Sequence, residues 1–219
     1  MEKAKHIVIL AAGDYPTSPV PLQTLREADF VVCCDSAYGE WRKESGEWRE
    51  DFVVIGDGDS LAPALKKELG DRWIQVGEQD YNDLHKAMAY ATSRFSIPDS
   101  RFSILGATGR REDHTLGNIS YLVTFAEEYP GVDVEMLTDH GRFRAMTGRR
   151  TFASFPRQQV SVFAMDPDQP LWSTGLKWPL DGFRARRWWQ ATLNEALADS
   201  FELRSEGWLV VFQTYGPKA

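Results

Sequence analysis

The sequence predicts an α/β fold, with a mostly parallel sheet flanked by helices, followed by a smaller antiparallel β-sandwich domain. Two observations lead there. Up to residue 137, short apolar, β-branched runs alternate about six times with helical patterns, and such runs belong to parallel strands buried on both faces. After Gly141 no long helical period returns, and short apolar runs follow one another between turn residues. The change falls in residues 138–141 and divides the chain into domains of residues 1–139 and 140–219.

In order, residues 6–13 form a strand ending in glycine. Residues 21–28 form a short helix with proline near its start, where a first turn tolerates it. Residues 30–35 are a buried strand ending in an aspartate, 36–43 a helix and 44–51 a polar loop. A third strand over 53–55 runs into Gly56-Asp57-Gly58-Asp59-Ser60. A helix at 61–69 stops at Gly70, a short strand covers 72–76, and a long helix at 81–95 ends before Ile97-Pro98. Residues 102–107 are a strand, 113–129 a helix closed by Pro130-Gly131, and 132–137 the last strand of the series. In the second domain, strands are expected at 143–146, 151–155, 160–164, 171–173, 186–190, 201–203 and 208–212.

A chain of 219 residues with 42% hydrophobic content can bury a real core. The formal charge of −7 and pI near 5.2 argue against nucleic-acid or membrane-surface partners, which need a basic field. Cys33 and Cys34 are adjacent in an apolar run, so on a strand they point to opposite faces and cannot pair with each other. Two buried thiols, a first apolar run too short for a secretory signal and no membrane-length stretch predict a cytoplasmic protein.

Three motifs carry chemistry. In the first, Asp57 and Asp59 are two residues apart at a strand end, so both carboxylates can converge on a hard cation such as Mg²⁺. The structural alternative is a helix cap by Asp57 or Ser60. In the second, Asp80-Tyr81-Asn82-Asp83 opens a helix. Asp80 reads as its N-cap and Asp83 as the N3 partner of a capping box, while Asp83 and Lys86 share one face near the positive end of the helix dipole. In the third, Gly106-Ala107-Thr108-Gly109-Arg110-Arg111-Glu112-Asp113-His114 joins a strand to a helix start, where backbone N–H groups and Arg111 suit phosphate. Here Asp113 would be the N-cap on a structural reading, and His114 and Asn118 share a helix face. Neither a Walker motif nor the dinucleotide fingerprint is present.

Together these motifs resemble the thiamin pyrophosphokinase family. The resemblance extends to Ser173-Thr174-Gly175-Leu176-Lys177-Trp178-Pro179-Leu180 and Thr192-Leu193-Asn194-Glu195, and so covers both domains in order. It implies a homodimer that moves a pyrophosphoryl group from ATP to thiamin, giving thiamin diphosphate and AMP with Mg²⁺. It further implies Asp57, Asp59 and Asp83 as metal ligands and Asp35 in the active cleft. Asn82, Lys86, Gly106, Gly109, Arg111 and Asp113 would lie near the ATP phosphates. Thr174, Trp178 and Asn194 would hold thiamin, the last two across the dimer interface. Asn82 and Leu193 depart from the family's usual threonine and serine. Trp178 offers a π-face to a cationic heteroaromatic, whereas Trp172, Trp188, Trp189 and Trp208 are candidates for the sandwich core. Two other functions fit parts of the pattern. A phosphohydrolase with Asp57 as nucleophile would not need residues 174–178, and a non-catalytic sensor of thiamin diphosphate or nucleotide gains little from three aspartates.

Overall fold

The computed structural model describes residues 5–45 and 50–217. The chain divides into two compact units, Met1–Tyr121 with Glu127–Asp139, and Leu122–Ala126 with His140–Ala219. In the first unit the chain runs β1 (Lys5–Leu10), α1 (Pro19–Glu27), β2 (Phe30–Cys34), α2 (Asp35–Ser45), β3 (Phe52–Gly56), α3 (Pro63–Leu69), β4 (Trp73–Gln75), α4 (Asp83–Arg94), β5 (Ser100–Leu105), α5 (Glu112–Glu128) and β6 (Asp133–Leu137). The six strands are parallel, in the order β6-β5-β1-β2-β3-β4. From β1 the chain builds outward to β4, then returns to the other side of β1 with β5. The connections that leave the carboxyl ends of β1 and β5 therefore lead to opposite sides of the sheet, and such a reversal is where open α/β sheets hold ligands.

The alternation of the strands explains how this sheet is sealed. Every residue of β2 and β3 is buried. Val8, Leu10, Val31, Cys33 and Val54 share a core with Leu25, Ala37, Tyr38 and Trp41 from α1 and α2. On the opposite face α4 lies against β1, β2 and β3 and buries Leu84, Ala87, Met88 and Ala91. Cys33 and Cys34 are both free and buried.

Two helix starts correct the sequence reading. α4 is capped by Asn82, whose Oδ1 accepts the His85 N–H at 3.0 Å; Asp83 is therefore the first helical residue. Asp80 instead donates its backbone N–H to the Glu78 carboxylate. The apolar face of α4 starts at Leu84, and that sets the cap two residues later than the first candidate aspartate. α5 likewise begins at Glu112, so Asp113 lies inside its first turn and is not the cap. The predicted loop at 44–51 begins inside α2, which runs to Ser45, and its residues 46–49 lie outside the described residues.

In the second unit the strands are β7 (Gly141–Ala153), β8 (Gln158–Ala164), β9 (Leu171–Thr174), β10 (Asp181–Phe183), β11 (Asn194–Glu195) and β12 (Ser200–Pro217). β12 pairs with β7 along its length, with β9 through its first half and with β8 through its second, all antiparallel. The short strands predicted at 143–146 and 151–155 are one strand, as are those at 201–203 and 208–212. Gly148, opposite Ser205, marks a bulge where the β7–β12 register shifts, so its glycine bends the ladder without ending it. The strand predicted at 186–190 is not formed; a 3₁₀ turn at Trp188–Ala191 stands there, and Trp188 and Trp189 are exposed rather than core. β10 and β11 are too short to leave a periodic signal. Among the described residues no helix is long and apolar enough to cross a membrane.

One long-range interaction holds the first crevice loop. α1 has no cap from its own Ser18 side chain. Asp139, just after β6, accepts the Thr17 N–H at 2.9 Å, the Ser18 N–H at 2.9 Å and the Thr17 hydroxyl. Burial opposes ionisation of Asp139, but these donors outweigh it and hold its carboxyl below the ordinary 3.8. Asp139→Ala should cost about 1–2 kcal/mol in urea unfolding, as loss of a helix cap does. Because the folded value is depressed, this contribution is complete above the unfolded pKa and fades as pH falls through the folded one. The gap between wild type and variant should therefore shrink on acidification.

Candidate active site

The acidic site is built from the ends of β2 and β3 and the start of α4. Asp35, first residue of α2, is 1% exposed, and its Oδ2 accepts the Gly58 N–H at 3.0 Å. That approach needs Gly56: a Cβ there would sit 2.5 Å from the Asp35 Cγ. Burial first, then the nearby Asp57, raises the Asp35 pKa. Burial and the charge of Asp35 likewise raise Asp83, against the pull of Lys86, whose buried Nζ lies 3.6 Å from Asp83 Oδ1. Asp57 is lowered by the Asp59 N–H at 2.9 Å, with help from the Gln79 side chain. Asp35, Asp57 and Asp83 thus stand in one another's fields, while Asp59 is on the exposed side of the turn. Among the described residues no three His, Cys, Asp or Glu side chains gather closely enough to coordinate an ion by themselves.

The third motif forms the opposite wall. The loops after β1 and β5 are laced together by Ala11 N–H to Leu105 O at 2.8 Å, Gly13 N–H to Gly106 O at 2.5 Å and Asp14 N–H to Thr108 O at 2.8 Å. Gly106 is left-handed at φ 62°, and a Cβ there would sit 2.6 Å from the Ala11 carbonyl oxygen, so only glycine allows this lacing. Gly109 is also left-handed. Arg111 and Asp113 are exposed and joined by a two-pronged ion pair, Nε to Oδ1 at 3.0 Å and a terminal nitrogen to Oδ2 at 2.5 Å. The Arg111 guanidinium holds the Asp113 pKa down at about 2.

Between these walls lies a cleft of about 330 Å³, lined by Ala12, Gly13, Asn82, Asp83, Arg111 and Asn118 among others. It sits at the point where the strand order reverses, the place where open α/β sheets hold ligands. The sequence places Asn118 on one helix face with His114 without giving it a role; in the structure it joins both walls. Its Nδ2 donates to the Ala107 carbonyl at 2.8 Å and its Oδ1 accepts from Asn82 Nδ2 at 3.2 Å. The signal for it in the sequence is its spacing from His114 along α5.

In the second unit, Trp178 is 51% exposed, and Lys177 Nζ lies 5.0 Å from its ring centroid. Asn194 is buried. Its Oδ1 accepts the Trp178 N–H at 3.2 Å and its Nδ2 donates to the Trp178 carbonyl at 2.7 Å. Asn194 therefore fixes the tryptophan's backbone. Thr174 lines a different hollow of about 470 Å³, with Arg149, Trp172 and Arg204, which neither Trp178 nor Asn194 lines.

Comparison with known proteins decides the family. The model described as "Thiamin pyrophosphokinase, catalytic domain" matches residues 22–134, half of the chain, and "Thiamin pyrophosphokinase, substrate-binding domain" matches residues 141–212. The chain belongs to the thiamin pyrophosphokinase family. Thiamine pyrophosphokinase 3 of Oryza sativa subsp. japonica is 30% identical over 142 residues, 59% of this chain and 52% of that protein. Thiamin pyrophosphokinase 1 of Caenorhabditis elegans is 27% identical over 113 residues, 49% of this chain and 45% of that protein. The matches thus span about half the length of these curated relatives. The fold is that of thiamin pyrophosphokinase from Candida albicans, with TM-score 0.79 at 18% identity over 96% of this chain and 89% of that one. The Bacillus subtilis protein gives 0.77 at 20% identity over 96% and 99%.

A cation suits the acidic wall of this family member. Asp35 Oδ1 is buried without a hydrogen-bond partner, and the carboxylates around it repel one another. A hard cation bound by few carboxylates completes its shell with phosphate oxygens and water, which fits the open arrangement. The raised pKa values of Asp35 and Asp83 have a consequence for stability. Ionisation costs nothing below the unfolded value of 3.8, costs increasingly as pH rises through the folded values, and costs fully above them. Asp83→Asn, melted without divalent cation, should therefore gain ~2–4 °C at pH 7.5 and lose that gain by pH 4. Added Mg²⁺ should raise the melting temperature of wild type more than that of Asp83→Asn.

Proposed function

We propose that this chain is a thiamin pyrophosphokinase that transfers the pyrophosphoryl group of ATP to the thiamin hydroxyl, giving thiamin diphosphate and AMP. The observation that supports the reading is one cleft lined both by Asp83, which stands in the fields of Asp35 and Asp57, and by an arginine-bearing helix start. Group transfer of this kind asks the protein mainly for positioning and charge neutralisation. Asp57 and Asp83, with Asp35 beneath them and Asp59 on the same turn, would hold Mg²⁺, which when bound offsets charge on the phosphate oxygens. The N–H groups after Gly106 and Gly109 with Lys86, Asn82 and Arg111 would bind the phosphates. Arg111 would exchange Asp113 for phosphate, and that carboxylate stays ionised throughout the neutral range because its pKa is about 2. The thiamin oxygen forms its bond to the β-phosphorus as the bond from that phosphorus to the bridging oxygen breaks; AMP leaves with the bridging oxygen and the electron pair, and the hydroxyl proton passes to water.

Trp178 would stack on thiamin, with Asn194 positioning it and Thr174 contributing from the neighbouring hollow. A homodimer is supported by the number of large apolar side chains left exposed on the second unit, Trp178, Trp188, Trp189, Leu193 and Leu197. The buried free thiols support a reducing, cytoplasmic setting.

Incubation with ATP, Mg²⁺ and thiamin should yield AMP and thiamin diphosphate. ADP would point to a simple kinase, and thiamin-independent phosphate release to a phosphohydrolase. Arg111→Lys keeps the charge but loses the planar fork, and its KM for ATP should rise on the order of tenfold with little change in melting temperature. If the dimer shares its sites, inactive Asp57→Asn and Trp178→Ala chains should regain activity when mixed and allowed to exchange.

A further inference from the structure

Arg110 adopts a backbone conformation that its surroundings do not explain. Its φ is 56°, in the left-handed region that a long side chain enters only at a cost, and it directly follows left-handed Gly109. A glycine at 110 would take the same shape without strain. The side chain makes three connections from this position. One terminal nitrogen donates to the Ala12 carbonyl at 3.0 Å, the other pairs with Glu40, and Nε lies 3.8 Å from Asp14 Oδ1. These partners lie on the β1–α1 loop and on α2, while Arg110 itself belongs to the β5–α5 turn. Arg110 also lines the cleft, as does Ala12.

The pair with Glu40 is about half exposed, and such a pair contributes too little to fold stability to maintain a strained residue. Strain retained at a cleft wall points to the cleft. We propose that Arg110 is a positioning residue for the nucleotide. It straps the β1–α1 loop and α2 to the phosphate-binding turn, so that the N–H groups of that turn stay aimed into the cleft. This rests on the reading of the cleft as the nucleotide site. The guanidinium is suited to the task because its several N–H groups reach a carbonyl and a carboxylate at once, which a lysine ammonium on its flexible stem does less well.

The test compares wild type with Arg110→Ala, Arg110→Gly, Arg110→Lys and Glu40→Gln. It uses calorimetric binding of a non-hydrolysable ATP analogue with Mg²⁺, steady-state kinetics and thermal melting. Arg110→Ala should weaken analogue binding and raise KM for ATP about tenfold, with kcat falling less than KM rises. Arg110→Gly should melt at or above wild type, because the strain is gone, and still bind the analogue as poorly as Arg110→Ala. Arg110→Lys should recover only part of the affinity. Glu40→Gln should weaken binding in wild type and add nothing in the Arg110→Ala background, because both act through one strap. Wild-type affinity in Arg110→Ala would overturn the proposal, as would fully additive effects of the two positions. So would an Arg110→Gly chain that melts well below wild type and binds normally. If wild type makes no AMP from ATP in the presence of thiamin, the functional reading fails, while the binding data still judge the strap.

Discussion

Like charges held close together at the ends of adjacent strands govern the first unit. Asp35 follows the second strand directly, Asp57 follows the third, and Asp83 opens the helix after the fourth. Burial and the neighbouring carboxylates raise the pKa of Asp35 and of Asp83, so their ionisation works against the fold. The chain meets this repulsion in three ways. Gly58 gives Asp35 a backbone donor, Asp59 gives one to Asp57, and buried Lys86 sits beside Asp83. None of them reaches Asp35 Oδ1, which stays unpartnered. A phosphate-bound cation of the kind proposed above would meet both the charge and the unpartnered oxygen.

Order in the opposite wall comes from backbone. The two loops at the strand reversal are stitched by three backbone hydrogen bonds beyond their strands, and Asp139 pins the far end of the first loop. Asn118 then ties the helix that carries Arg111 and Asp113 at its start to the helix that carries Asp83. The groups that would handle phosphate therefore sit on rigid elements, and the exposed Arg111 and Asp113 side chains pair with each other. In the second unit the same arrangement recurs: a buried asparagine commits its whole carboxamide to the Trp178 peptide and its neighbour, and leaves the indole half in solvent.

Features of the site that depend on local sequence are legible in the chain itself. The Gly56–Ser60 turn and the glycine-arginine turn after the fifth strand each announce themselves within a few residues, and the helix start near Asp83 does so to within two. The parallel sheet is equally plain, because buried strands are continuous apolar runs. What stays hidden depends on partners far away along the chain. Asp139 holds the two residues before a helix that starts 120 residues earlier, Gly56 makes room for Asp35, and the left-handed Arg110 reaches Ala12 and Glu40. The second unit misleads for another reason. Glycines that bulge a long strand look, in sequence, like glycines that end a short one, so two long strands read as four. The exposed pair Trp188-Trp189 inverts the usual expectation that tryptophans fill a sandwich core.

The central proposal is that Asp57 and Asp83, with Asp35 beneath them and Asp59 on the same turn, form one cation site completed by nucleotide phosphate. Electron paramagnetic resonance of Mn²⁺, titrated with and without a non-hydrolysable ATP analogue, measures this directly. Wild type should hold Mn²⁺ weakly alone and at least about tenfold more tightly with the analogue, as expected for a shell shared between few carboxylates and phosphate. Asp35→Asn, Asp57→Asn and Asp83→Asn should each lose most of that tightening while remaining folded. Mn²⁺ retention that is the same in all three variants as in wild type would contradict the account, and would place the cation elsewhere.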